Sequence, residues 1–261
     1  MLDIFENAAL KAGAAILDVC RGGADVALKA DLSPVTLADE RAEDIIVAAL
    51  VSAFPDIPVI AEEAFAAGLA PDIDCRFFLV DPLDGTKEFI QQKDDYTVNI
   101  ALIDHGVPVA GFVYAPALGV AYAGEGNSAS KMAIGSNGEV TVRVPIASRT
   151  VIQPPVGLIS RSHCNARTHA FVAEHAMKDC RSVGSSLKFC VLAEGGADVY
   201  PRFTRTMEWD TAAGDAVLRA AGGMTLGLDG KPLVYGKRNQ ADDSDFANPS
   251  FIAWGRVAQE A

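Results

Sequence analysis

The first part of the chain alternates apolar and polar positions with the period of a helix. Residues 3–20 carry apolar side chains at helical spacing, and two glycines follow them closely. The same period returns after the Ser33-Pro34 turn and continues until Pro55. Because helices commonly end at glycine and rarely run into proline, the pattern predicts two amphipathic helices.

Shorter apolar runs without that period come next, and they predict strands. The run "PVIA" (58–61) ends in two glutamates, and the run "FFLV" (77–80) ends in an aspartate. Residues 96–126 contain apolar stretches separated by turn residues at 104–106 and 116–119. That arrangement is typical of an antiparallel meander.

The pattern changes in the second half of the chain. Residues 125–155 are irregular and contain glycine, serine and a proline pair, so they indicate a boundary between an N-terminal lobe (1–150) and a C-terminal lobe (151–261). A decorated hairpin would also fit this segment. Strands and helices alternate beyond it, so the predicted fold class is α/β, with layered α+β elements.

Composition narrows the function classes. The chain has 261 residues, 50% of them hydrophobic, and a formal net charge of −12. It lacks the basic surplus of a protein that binds polymeric nucleic acid. No apolar run reaches the roughly 20 residues of a membrane span. Its five cysteines lack CxxC spacing, which favours reduced thiols and a cytoplasmic protein. An acidic protein can still bind a small phosphate if cations bridge the two.

Oxygen-bearing groups gather at the ends of two predicted strands. Glu62 follows "PVIA", Asp81 follows "FFLV", and Asp84 comes three residues later in "DPLDGT". Ligand sites in open α/β sheets form beyond the carboxyl ends of strands, and Mg²⁺ prefers oxygen ligands. The Leu83 carbonyl can join the two aspartates in a tight bend. The alternative is a polar turn, since Asp-Gly suits a hairpin.

Two later segments each open a predicted helix with polar residues. In "EWDTAAGDAVLRAAGG", Asp210 is predicted to cap the helix, and the free N–H groups beside it could bind phosphate. In "GSSLKFC", Ser185 or Ser186 could cap the helix. Lys188 in the same segment is either a solvated helix charge or a phosphate partner.

Taken together and in this order, "AEE", "DPLDGT" and "EWDTAAG" resemble the Mg²⁺-dependent, lithium-sensitive phosphatases related to inositol monophosphatase. The segments "GTKEF", "SRSH", "GSSLKF" and "YPRF" are most similar to the 3′(2′),5′-bisphosphate nucleotidase branch. The resemblance implies an αβαβα sandwich with two or three Mg²⁺ ions. It also implies removal of the 3′-phosphate from 3′-phosphoadenosine 5′-phosphate to give AMP, with the 5′-phosphosulfate analogue as a further substrate.

The resemblance implies a role for each matching residue. Glu62, Asp81 and the Leu83 carbonyl are expected to hold one Mg²⁺. Asp81, Asp84 and Asp210 are expected to hold a second.

The same resemblance implies the groups that meet water and substrate. Thr86, together with Asp39 or Glu62, is expected to orient and deprotonate the attacking water. Lys188 and Arg202 are expected to hold the second phosphate, which inositol monophosphates lack. The full set of expected substrate contacts is Gly85, Thr86, Ser160, His163, Ser185, Lys188, Arg202 and Asp210.

Some departures and alternatives remain at this stage. Asp215 stands where a neutral residue is more usual, and the acid is expected to weaken anion binding slightly. An inositol-1-phosphate or other sugar phosphatase is the nearest alternative function, and a non-catalytic nucleotide or metal sensor is another. A homodimer and peripheral contact with the inner membrane are both compatible with the sequence.

Overall fold

The computed structural model describes residues 1–22, 26–28, 34–160 and 164–256. The helices in these ranges are α1 (Leu2–Gly22), α2 (Leu37–Ala53), α3 (Glu62–Ala66), α4 (Thr86–Ile90), α5 (Ala166–Glu174), α6 (Leu187–Ala193) and α7 (Trp209–Ala220). The strands of the first half are β1 (Val26–Leu28), β2 (Pro34–Thr36), β3 (Val59–Ala61), β4 (Arg76–Asp84), β5 (Thr97–Asp104), β6 (Val107–Ala115), β7 (Val120–Glu125), β8 (Ser128–Ile134) and β9 (Val140–Ile146). The strands of the second half are β10 (Gly157–Ile159), β11 (Cys180–Ser182), β12 (Val199–Arg202), β13 (Thr206–Met207), β14 (Met224–Gly227), β15 (Ala247–Asn248) and β16 (Phe251–Trp254).

The strands form two main sheets. The larger has seven strands in the order β3-β4-β5-β6-β7-β8-β9, and the smaller has five in the order β11-β10-β12-β16-β14. The larger sheet is antiparallel except for β3, which runs parallel to β4. Two short ladders, β1-β2 and β13-β15, lie outside both sheets.

Helices cover the sheets in alternate layers. α1 and α2 pack on one face of the seven-stranded sheet, where Phe5 meets Phe78 edge to face at 5.7 Å. α6 and α7 fill the space between the two sheets, and Phe189 of α6 stacks on Phe251 of the smaller sheet at 5.9 Å. α5 packs on the outer face of that sheet through Phe171. The order of layers is therefore αβαβα, which confirms the predicted fold class.

Small residues allow α7 to approach the larger sheet closely. A Cβ atom on Gly111 of β6 would lie 2.4 Å from the carbonyl oxygen of Ala213. One on Gly124 of β7 would lie 2.6 Å from the Cα atom of Val217. Since these distances are far shorter than van der Waals contact, the sheet admits the helix only with glycine at both positions.

The meander is confirmed, but the interpretation of residues 125–155 is partly wrong. β5, β6 and β7 follow one another with turns at the predicted places. The segment expected to be irregular instead contains β8 and β9, which add two strands to the same sheet. β9 is an edge strand without a fully buried residue, yet its sequence VTVRVPI alternates apolar and polar positions from Val140 to Val144, a strand signal that the prediction overlooked. The division into lobes at residue 150 stays a prediction.

The membrane expectation can be checked against the helices. None of the helices in the described parts of the chain is long and apolar enough to cross a membrane.

Candidate functional site

A break in the β4 ladder lies between two acids of the site. Asp81 pairs with Asn99 of β5 and Asp84 pairs with Thr97, but the register shifts between the two aspartates. The carboxylate of Asp81 accepts a 3.0 Å hydrogen bond from the backbone N–H of Leu83. A bulge of this kind re-aims side chains that would otherwise alternate across the sheet, and it is common beside active sites. Gly85 follows with φ of 97°, a left-handed conformation that favours glycine.

The parallel pairing of β3 with β4 brings in a third acid. Ala61 lies opposite Val80, so Glu62, the first residue of α3, comes next to Asp81, which lies within β4. Carboxylate oxygens of Glu62, Asp81 and Asp210 all lie within 4.8 Å of one another. The structure thus brings together acids from three separate motifs. The strand that was predicted to end before Asp81 continues to Asp84, so Asp81 lies within the strand and not beyond it.

Asp210 reaches this point from the first turn of α7, but the predicted cap is wrong. The helix begins at Trp209, so Asp210 is its second residue and Glu208 occupies the cap position. One oxygen of Asp210 accepts a 2.8 Å bond from the backbone N–H of Met207. This bond turns the carboxylate back across the helix start and towards Glu62.

Ser186 ties two of the motifs together, a role that the sequence did not reveal. Its Oγ lies 2.6 Å from the carbonyl oxygen of Asp210 and 3.1 Å from Oδ2 of Asp84. It also accepts a 3.0 Å bond from the side-chain amide of Asn99. A hydroxyl has one proton, so Ser186 donates to one of the two acceptors at a time, and the shorter bond favours Asp210.

Thr86 and Asp39 meet although 47 residues separate them. Oγ1 of Thr86 lies 3.1 Å from Oδ1 of Asp39 and 3.2 Å from the carbonyl oxygen of Leu83. The other oxygen of Asp39 accepts two 2.7 Å bonds from the backbone N–H and hydroxyl of Thr36. Burial nevertheless raises the pKa of Asp39 above its ordinary value. The pair that the resemblance implied is therefore assembled in the fold.

Burial and mutual repulsion disfavour the charged forms of these acids. Burial raises the pKa of Asp84 to about 6, against the opposing charge of Lys188. Burial also raises the pKa of Asp210 well above its ordinary range, and the charges of Asp84 and Glu62 add to the effect. Buried carboxylates that repel one another are stabilised by a divalent cation between them. This arrangement fits a hard metal ion such as Mg²⁺, which takes oxygen ligands.

A cavity of about 270 Å³ opens next to these acids. Its wall includes most of the residues that the sequence singled out, while Asp39, Asp81 and Leu83 are buried beneath it. His163 lies outside the described residues. The predicted residues that line the cavity are Glu62, Asp84, Gly85, Thr86, Ser160, Ser185, Lys188, Arg202 and Asp210.

The wall of the same cavity also carries hydrogen-bond donors. Lys188 is buried, and its ammonium donates to the carbonyl oxygens of Val183 at 3.2 Å and Ser185 at 2.6 Å. The idea of a solvated helix charge is therefore wrong. Burial lowers the pKa of Lys188 to about 8. Nε of Arg202 and Oγ of Ser185 are buried and have no hydrogen-bond partner within the described ranges.

The expectation that Asp215 weakens anion binding is also wrong. Asp215 is buried, forms a 2.8 Å ion pair with Arg219 and accepts a 2.9 Å bond from the hydroxyl of Tyr235. Five residues along a helix correspond to a rotation of about 140° beyond one full turn. The side chain of Asp215 therefore leaves α7 on a different face from that of Asp210.

The comparisons with known proteins agree with this architecture. Residues 1–252 match the model of the inositol monophosphatase family. The chain belongs to that family of phosphatases, whose members are generally Mg²⁺-dependent.

Its relatives point to one branch. The chain is 45% identical over 253 residues to the 3′(2′),5′-bisphosphate nucleotidase CysQ of Escherichia coli O157:H7, covering 96% of this chain and 98% of the relative. It is 38% identical to CysQ of Buchnera aphidicola, covering 88% and 83%. The crystal structure of CysQ from Bacteroides thetaiotaomicron superposes with a TM-score of 0.76 at 35% identity, covering 99% and 98%. The IMPase of Thermotoga maritima gives 0.75 at 25% identity, covering 97% and 91%.

Proposed function

We propose that this protein is a Mg²⁺-dependent 3′(2′),5′-bisphosphate nucleotidase. It removes the 3′-phosphate from 3′-phosphoadenosine 5′-phosphate and releases AMP and phosphate, and it accepts the 5′-phosphosulfate analogue in the same way. The names of the CysQ relatives support the substrate class, since 45% identity extends over nearly the whole chain. The acid cluster beside a cavity of matching chemistry supports the reaction.

The acids of the cluster are assigned to the metal ions. Glu62, Asp81 and the carbonyl of Leu83 form one ligand set, and Asp81, Asp84 and Asp210 form the other. The sharing of Asp81 is supported by its proximity to both Glu62 and Asp210, since carboxylate oxygens of all three lie within 4.8 Å of one another. Bound Mg²⁺, as two or three ions, supplies an activated water and offsets the negative charge of the phosphoryl group.

Thr86 and Asp39 are assigned to the water that attacks phosphorus. The hydroxyl of Thr86 donates towards Asp39 and so presents its lone pairs to the water. This orients one lone pair of the water oxygen towards the phosphorus atom. The water proton moves through Thr86 to Asp39, or directly to Glu62. The new P–O bond forms as the bond to the 3′ oxygen breaks, and that oxygen takes up a proton.

The observation that carries the choice of a bisphosphate is the pair of buried donors without partners. Arg202 and Ser185 both line the cavity, and neither Nε of Arg202 nor Oγ of Ser185 has a partner among the residues described. A buried donor left unpaired costs about 1–3 kcal/mol, and a ligand oxygen bound in the cavity would offset that cost. Lys188 adds a positive charge to the same wall. A second phosphate at this wall satisfies both donors, whereas an inositol monophosphate offers no such group.

A substrate panel tests the proposal. Purified protein with Mg²⁺ is expected to release phosphate from 3′-phosphoadenosine 5′-phosphate far faster than from inositol 1-phosphate, and Li⁺ is expected to inhibit the release. The reverse ranking would reject the branch and favour a sugar phosphatase. Nucleotide binding without turnover of any substrate would favour a non-catalytic sensor. The homodimer, the cytoplasmic location and the membrane contact stay predictions.

A further inference from the structure

Glu43 of α2 holds the start of the short helix that carries Glu62. Its side chain is 7% exposed. One carboxylate oxygen accepts a 2.7 Å hydrogen bond from the backbone N–H of Glu63, and the other accepts a 2.7 Å bond from the backbone N–H of Ala64. These two residues follow Glu62 directly in α3. The two bonds therefore connect α2 to the first turn of α3.

This contact replaces the cap that α3 lacks. The first N–H groups of a helix have no partner within it, and the residue before α3 is Ala61, whose side chain cannot accept a hydrogen bond. A helix of five residues is also too short to be stable alone. The carboxylate of Glu43 satisfies two of the orphan donors and places a negative charge at the positive end of the helix.

The same face of α2 also holds the opposite side of the site. Asp39 lies one helical turn before Glu43, and its carboxylate accepts the hydrogen bond from Thr86. One rigid helix thus contacts the segment of Thr86 through one acid and the segment of Glu62 through another. The spacing between these two segments depends on both contacts.

We propose that Glu43 is a positioning residue, which sets the direction of the Glu62 carboxylate through the backbone of α3 and so determines metal affinity. This inference rests on the proposed function, because it takes Glu62 as a metal ligand. Glu43 itself does not touch metal or substrate. A purely structural role, in which Glu43 only anchors α3 to α2, predicts lower stability with unchanged affinity for metal.

The test measures metal binding without turnover. In Glu43→Gln, one amide oxygen remains as acceptor, but the amide N–H₂ faces a backbone N–H and cannot accept from it. The affinity of the substrate-free protein for Mn²⁺, measured by calorimetry, is expected to fall about 10-fold, as for other residues that orient a ligand. Amide hydrogen exchange at Glu63 and Ala64 is expected to accelerate.

Two further variants control the experiment. Glu40→Gln makes the same change at an exposed position of the same helix, and it is expected to leave Mn²⁺ affinity and exchange unchanged. Glu43→Asp keeps the charge but withdraws the carboxylate by one methylene, so both bonds lengthen. The Mn²⁺ affinity of Glu43→Asp is expected to fall as well, because the proposal depends on the position of the carboxylate oxygens and not on their charge. If Glu43→Gln fails to fold, the milder Glu43→Asp variant still tests the positioning role.

Glu62→Gln separates the inference from the proposed function. If Glu62→Gln weakens Mn²⁺ binding while both Glu43 variants bind as the wild type does, the positioning role is overturned and the ligand set stands. If Glu62→Gln binds Mn²⁺ normally, the ligand set fails and the inference fails with it. Weaker binding in all three variants, with faster exchange only in those at Glu43, supports the proposal.

Discussion

Replacing Arg202 by methionine should remove the preference for a second phosphate. Arg202 ends β12 with its side chain 9% exposed, and one terminal N–H donates to the carbonyl oxygen of Arg205 at 3.3 Å. Arg202 lines the cavity, and its buried Nε has no partner in the described parts of the chain. Methionine fills much of the same volume with a flexible apolar chain, so the packing around it should survive.

The magnitude follows from the bonds that the variant loses. A hydrogen bond to a charged group contributes about 1.5–3 kcal/mol. Nε and one terminal nitrogen of the guanidinium can donate two hydrogen bonds to one phosphate. Part of the positive charge of Arg202 already interacts with nearby acids such as Asp210. A net loss of about 3 kcal/mol is therefore expected, which corresponds to roughly 100- to 200-fold in kcat/KM.

The assay compares two substrates that differ only in the second phosphate. We expect kcat/KM of Arg202→Met to fall by this factor for 3′-phosphoadenosine 5′-phosphate and to change little for adenosine 3′-monophosphate. Arg205→Met is the matched control, because Arg205 is exposed and its guanidinium bonds Asp243 and Ser244 at the surface. The ratio of the two substrates cancels any general loss of folded enzyme. An equal fall for both substrates would refute the assignment of Arg202 to the second phosphate.

Three other substitutions have defined outcomes. Asp84→Asn should abolish turnover, and an active variant would contradict the ligand set. The same change should raise the melting temperature of the metal-free protein by roughly 2–6 °C at pH 8, because burial disfavours the charged carboxylate of Asp84 and raises its pKa to about 6. Gly111→Ala should lower the unfolding free energy in urea by about 2–3 kcal/mol, because its Cβ would lie 2.4 Å from a carbonyl oxygen of α7, and an unchanged midpoint would refute the close approach. Asp198→Asn should cost about 1.5–3 kcal/mol in the same assay, since it weakens the 2.7 Å ion pair between the buried Asp198 and the partly exposed Arg149; a neutral result would mean that the pair adds nothing.

The acids of the site could be predicted because they follow strong local signals. Asp81 directly follows a buried apolar run, and Glu62 follows another, so their place at the edge of a sheet needs only the strand ends. Their partner Asp210 needed the resemblance, since nothing local relates a helix start to a strand 130 residues earlier. The same holds for the contact between Asp39 and Thr86.

Contacts between elements that are distant in the chain could not be predicted from local sequence patterns. Ser186, Asn99 and Glu43 act through hydrogen bonds between elements far apart in the chain, and such bonds depend on the finished packing. β9 did carry a strand signal, since Val140, Val142 and Val144 alternate with polar residues, but it was missed because the surrounding glycine, serine and proline indicated an irregular segment. Asp215 was expected to affect anion binding, but five residues of helix turn its side chain to a different face of α7 from that of Asp210.

The central claim is that acids from three motifs hold divalent ions, which in turn bind a phosphoryl group. Anomalous scattering from a crystal soaked in Mn²⁺ and adenosine 3′,5′-bisphosphate tests it most directly. The account predicts Mn²⁺ peaks about 2.0–2.3 Å from carboxylate oxygens of Glu62, Asp81 and Asp210, with the 3′-phosphate beside them. A well-occupied nucleotide with no Mn²⁺ peak among these three carboxylates would contradict it.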